Sequence, residues 1–224
     1  MRLDREILSE TFTIGLPALG TTFVSCFGYI AFARMVSGMG TTIFAAHSIA
    51  ITAEQIVYIP GYGLRVATST LVGNALGEKD IRKLKATERV SILITLLIMV
   101  VNGIGLYLFA YPFMRLFTNS VNAARIGSEV LRLVSFSEPF FGLMIVLEGI
   151  SYGMGRTKHV FACEAVSMWG IRIFGTFLCV NVFGLGLKAV WLCMIADNIC
   201  KAILLYIFRP KHVEENADDR GELR

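Results

Sequence analysis

Residues 90–114 carry no charged side chain, and neither do residues 11–33. A helix crossing ~30 Å of hydrocarbon needs about 20 mostly apolar residues, so each run is long enough to span a bilayer. The first run is too long for a signal peptide and lacks a small-residue cleavage pattern, so it reads as a span. Four further segments are interrupted by polar residues but remain readable. The six spans fall at roughly 12–36, 44–73, 90–114, 127–152, 161–183 and 187–208. Composition agrees: 55% of positions are hydrophobic and 17% charged, more apolar surface than a soluble domain of this size can hide. In lipid only helices or closed barrels satisfy every backbone polar group, and these runs far exceed the ~10-residue alternating strands of a barrel. The expected fold is all-α: a polytopic six-helix bundle over 12–208, preceded by a short segment, 1–11, and followed by a polar tail, 209–224.

Six spans put both ends of the chain on one side of the membrane, and basic residues say which. Arg2 and Arg5 precede the first span. Lys79, Arg82, Lys83, Lys85 and Arg89 fill the second loop, Arg156 and Lys158 the fourth, and Arg209, Lys211, Arg220 and Arg224 the tail. The alternate loops offer only Arg115, Arg125 and Lys188, so thirteen basic residues face three. Both termini are therefore expected in the cytoplasm and the chain in the plasma (inner) membrane. The cluster at 79–89 is topology rather than a nucleic-acid site. Gly77 is a natural helix stop before it. Ile81, Leu84 and Val90 give the segment an apolar side, which suggests a short helix on the inner membrane surface. From His212 onward the tail is polar and is expected to be disordered.

Ionisable residues inside spans need a partner, an aqueous cavity or an escape to the interface. Arg34, Arg132 and Arg172 lie near span ends, where snorkelling serves. Asp197 and Lys201 stand four apart on the last helix and read as a structural i, i+4 ion pair. In the second span, Glu54 and Arg65 share a face about 16 Å apart, with Pro60 and its missing hydrogen bond between them. A kinked helix with an inward carboxylate recurs in transport pathways; the alternative is that Glu54 only hydrogen-bonds a neighbouring helix. The fourth span repeats the pattern in Glu138-Pro139 and Glu148. Either glutamate can face a cavity, and Glu138 is favoured as the deeper. Pro17 is a further breaker in the first span, and Gly149-x-x-x-Gly153 offers a small face for close helix contact.

No soluble catalytic constellation is present, and no Walker loop, so an enzyme is not expected. The five cysteines sit in apolar runs without C-x-x-C pairing and read as small hydrophobes. His47, His159 and His212 are too scattered for a metal site, and no cofactor is expected.

The motifs of the second span resemble the multidrug and toxic compound extrusion (MATE) family. They are Ala45-Ala46-His47-Ser48-Ile49-Ala50, Glu54, Pro60-Gly61-Tyr62-Gly63, and Leu71-Val72-Gly73-Asn74 with Leu76-Gly77. Phe113-Met114-Arg115-Leu116-Phe117-Thr118, the run Gly149 to Lys158, Trp169-Gly170-Ile171-Arg172 and Gly184-Leu185-Gly186 with Val190-Trp191 follow in the family's order. Together they cover nearly the whole chain and are similar to the C-terminal six-helix lobe, closer to the DinF-like proton-coupled branch. The resemblance implies secondary active efflux, in which a cationic or amphipathic small molecule leaves as H⁺ or Na⁺ enters. It also implies a twelve-helix protein of two lobes around a cavity. The implied partners are thus the bilayer, the substrate, and an N-terminal MATE-like lobe or a second copy of this chain. A fragment, a split-gene product and a half-sized transporter all fit. The sodium-coupled branch carries acids where this sequence has Ser25 and, nearby, Phe141, so H⁺ is the expected coupling ion. Glu54 matches a glutamate of the proton-coupled branch and is the leading cavity-lining candidate. Tyr58, Phe141, Phe27, Tyr29, Tyr62 and Phe140 offer aromatic faces to a bulky cation. Two alternatives are a flippase for a lipid-linked substrate, which Arg65 and Arg172 would serve, and a non-transporting remnant.

Overall fold

The computed structural model describes residues 5–208, with side chains from Thr11 onward. The segment 1–4 and the tail expected to be disordered lie outside the described residues. Seven helices follow one another: α1 (Arg5–Ser37), α2 (Thr41–Gly77), α3 (Ile81–Phe117), α4 (Val121–Ser135), α5 (Glu138–Gly153), α6 (Thr157–Val182) and α7 (Leu187–Ile207). No strand occurs among the described residues. Five helices are long and apolar enough to cross a membrane, and α4 with α5, bent by 61° at their junction, bring the number to six when the pair is counted as one broken span. The six spans read from the sequence are therefore present.

Breaks and caps follow local chemistry. Pro139 stands in the first turn of α5, where its missing N–H removes no intrahelical bond, so the bend falls just before the Glu138-Pro139 pair. The chain stays helical through Pro17 and Pro60. α2 ends at Gly77 as expected, although Lys79, at φ +57°, is the residue that takes the left-handed turn. Asp80 then caps α3, its carboxylate accepting from the Lys83 N–H at 2.9 Å. The basic cluster is corrected here. It forms no separate surface helix, because the Asp80 cap starts α3 at Ile81 and the winding continues without a break into the apolar run.

Two apolar clusters fill the bundle. Phe32, Leu106, Met114, Leu131 and Trp191 occupy the end where α2, α4 and α7 begin. Met99, Phe141, Ile145, Leu147 and Leu205 occupy the other half. The glycine pair of α5 makes the close contact its spacing suggested. A Cβ at Gly149 would stand 2.7 Å from the Arg65 carbonyl oxygen, and one at Gly153 2.5 Å from that of Ser69. The backbones of α5 and α2 thus touch beside the cavity.

Candidate functional site: a cavity with two polar walls

One stripe of α2 carries the first wall. Glu54, Tyr58, Tyr62, Arg65 and Ser69 recur every three or four residues, so all turn toward the same space. That space is an open-sided cavity of about 980 Å³ lined by α1, α2, α5, α6 and α7. The Tyr58 hydroxyl donates to Glu54 at 2.5 Å. Its ring stacks on Phe141 at 3.7 Å between centroids, and Tyr62 meets Phe141 edge-on. Arg65 lies over the Tyr62 ring and bonds Glu148 at 3.1 Å. The expected candidates Glu54, Tyr58, Arg65, Phe141 and Ser25 therefore converge on one cavity.

Glu138 does not join them, which corrects the preference given to it. It stands ten residues before Glu148, about 80° away on an α-helix, and the cavity reaches only Glu148. Glu148 lines the cavity, whereas Glu138 packs toward α3, which contributes nothing to the wall. A Cβ at Gly103 of α3 would come within 3.2 Å of the Glu138 Cβ. Glu138 is 0% exposed and neither carboxyl oxygen meets a hydrogen-bond partner among the described residues.

The second wall is built by α6 and α7, and the sequence reading missed it. Lys201 pairs with Glu164, whose other oxygen accepts from Ser25 at 2.5 Å. Arg172 is 4% exposed, stands 2.8 Å from the Asp197 carboxylate and donates to Asn198 at 3.3 Å. Ser167 donates to Asp197 from the other side. The guanidinium also lies over the rings of Tyr29 and Phe32 of α1. Two expectations are thereby corrected. Arg172 does not snorkel, because a buried carboxylate holds it inside the bundle. Asp197 and Lys201 do not form their own ion pair; both face α6, where each finds a partner. Two π-helical stretches, Met168–Ile173 and Leu178–Val182, lie in α6, and Arg172 is in the first. Arg34 and Arg132 are exposed.

The charges of the cavity pair off with one exception. Arg65 pairs with Glu148, Lys201 with Glu164 and Arg172 with Asp197. Glu54 is the one lining carboxylate with no ion pair among the described residues, and it accepts a hydrogen bond from the Tyr58 hydroxyl. His47, at the rim of the same space, accepts from the Trp191 indole N–H at 3.2 Å through Nδ1. No cluster of side chains able to hold a metal ion occurs among the described residues. All five cysteines are free.

Comparison with known proteins gives this bundle its relatives. The chain is 30% identical over 201 residues to a protein named probable multidrug resistance protein NorM from Thermotoga maritima. That match covers 89% of this chain and 43% of the relative. It is 28% identical to a protein of the same name from Photorhabdus laumondii, covering 89% of this chain and 45% of that one. The chain thus spans less than half the length of these curated relatives. A solved structure of MATE in the bent conformation superposes with a TM-score of 0.88 at 19% identity, over 98% of this chain and 48% of that one. A MOP superfamily transporter from Pyrococcus furiosus superposes at 0.86 and 21% identity, over 95% of this chain and 48% of that one. These structures carry the fold, one multi-pass helical lobe. The MatE family model matches residues 17–178, and on that match this chain belongs to the MatE family of membrane transporters.

Proposed function

We propose that this chain is one lobe of a secondary active efflux antiporter for amphipathic organic cations. The observation that carries the reading is the charge pattern of the cavity. Three ion pairs cancel, and Glu54 remains beside the Tyr58, Tyr62 and Phe141 rings. A carboxylate flanked by aromatic faces in a low-dielectric recess attracts a bulky cation through both charge and ring quadrupole. The names of the relatives, multidrug resistance proteins, support the substrate class.

The coupling ion of this reading is H⁺. Ser25 takes the place where the resemblance puts a sodium-branch glutamate, and its hydroxyl is engaged by Glu164. A flippase for anionic headgroups is less favoured, because Arg65, Arg172 and Lys201 are each committed to a carboxylate. The proposed topology, with both termini in the cytoplasm, rests on the thirteen-to-three distribution of basic residues. The natural partner is an N-terminal lobe of the same family, or a second copy that closes the cavity.

Drug accumulation in cells lacking their own pumps tests the reading, with the chain expressed alone and then with a matching N-terminal lobe. Lowered, gradient-dependent accumulation of an organic cation in either arrangement is the expected result. No change in either, with the protein verified in the membrane, would overturn it.

A further inference from the structure

α1 carries two stripes that face opposite ways. Ala18, Thr22, Ser25, Tyr29 and Phe32 line the cavity. Phe23, Phe27, Ile30 and Arg34 line a second groove of about 510 Å³, shared with Trp169 of α6. At 3.6 residues per turn the two sets lie roughly 180° apart. α1 is therefore the wall between them, and what closes the cavity does not thereby cover the groove. Phe23, Phe27 and Ile30 are each more than half exposed, and in a chain whose helices cross a bilayer such a face meets acyl chains.

Three observations make the groove more than lipid-facing surface. The first is its shape: Gly20 and Gly28 let Phe161 and Met168 of α6 close onto α1, since a Cβ at Gly28 would lie 2.4 Å from the Met168 Cε. The second is its length. Phe23 to Arg34 is eleven residues, about 16 Å of helix, close to the ~15 Å of one leaflet's hydrocarbon. The third is charge. Arg34 stands in the last turn of α1, exposed, and its guanidinium has no ion pair or hydrogen bond among the described residues. A cation at the end of an apolar groove about as long as one leaflet matches a phosphate above an acyl chain.

We propose that the α1/α6 groove binds one anionic phospholipid, its acyl chain against Phe27 and Trp169 and its phosphate on Arg34. The two tryptophans make the test direct. Trp169 is 43% exposed in the groove, whereas Trp191 is 0% exposed. The full chain is reconstituted in phosphatidylcholine vesicles and titrated with phosphatidylglycerol whose acyl chains are brominated, which quench indole fluorescence on contact. Brominated phosphatidylglycerol is expected to quench about fivefold more effectively than brominated phosphatidylcholine, the ratio one interfacial arginine supports. R34Q should bring that ratio to about one, R34K should keep it, and W169F should abolish the quench while Trp191 still emits. Equal quenching by the two lipids in the unaltered chain, or a preference surviving R34Q, would overturn the proposal. So would a Trp169 that neither lipid reaches, the result expected if a protein surface fills the groove.

Discussion

The two polar walls of the cavity differ in how they handle charge. The α2/α5 wall holds a carboxylate without a cation, Glu54, and an Arg65–Glu148 pair whose guanidinium side chain remains 33% exposed. The α6/α7 wall holds its four charges as complete pairs, with Arg172 and Asp197 at 5% and 0% side-chain exposure and Lys201 and Glu164 at 8% and 6%. A buried pair has already met its desolvation penalty with its partner and has little left for a ligand. Glu54 is as buried, at 2% exposure, but lines the cavity without a cation and so retains its attraction for one that reaches it. One wall is thus suited to binding, and the other to holding two helices in register.

The contrast can be broken most severely at Arg172. R172A leaves Asp197 buried without its cation and is expected to destabilise the solubilised chain by about 3–5 kcal/mol, read by SDS-titrated unfolding. Replacing the pair together, as R172M with D197L, should recover most of that loss, because two apolar side chains remove the stranded charge. E54Q should do the reverse, leaving unfolding almost unchanged while weakening organic-cation binding about 10- to 100-fold, the worth of one charged contact. Equilibrium binding of a fluorescent organic cation checks it, and an unaltered affinity would remove Glu54 from the binding wall. E138L separates burial from function: the partnerless carboxyl gives way to an apolar side chain, with an expected gain of about 1–3 kcal/mol and unchanged cation binding. The smallest effect is expected from S25A, about 0.5–1.5 kcal/mol, because Glu164 keeps Lys201 when it loses the serine hydroxyl.

The first wall was legible because its residues share a helix. Glu54, Tyr58 and Arg65 fall on one stripe by spacing alone, and Pro139 announces the break between α4 and α5. The second wall was not, because its pairs form between helices. Asp197 and Lys201 are one turn apart and suggested a local pair. That same spacing aims both at α6, which runs antiparallel and presents Glu164 opposite Lys201 and Arg172 opposite Asp197. The signal that could have found them is the presence of complementary charges on two successive apolar spans. Snorkelling misled for Arg172 because position along a helix says nothing about the face it occupies. Glu138 was judged by depth, but depth does not say which neighbour a side chain faces, and this one packs against Gly103 of α3. The third helix was placed late for a simpler reason: hydropathy marks where lipid begins, while the Asp80 cap marks where winding begins.

The π-helical stretch at Met168–Ile173 has a consequence for how genes of this kind can change length. A π turn holds more residues than an α turn, so the stretch carries surplus winding between Glu164 and Arg172. Deleting one residue there would let α6 relax to uniform α geometry with the residues on either side close to their present phase, whereas the same deletion in an α stretch would rotate everything beyond it by about 100°. Arg172 would then still face Asp197, and Glu164 would still face Lys201. A single-codon loss in this segment would thus be absorbed, whereas the same loss elsewhere between Glu164 and Asp197 would put the helix pairing out of phase with the reading frame intact.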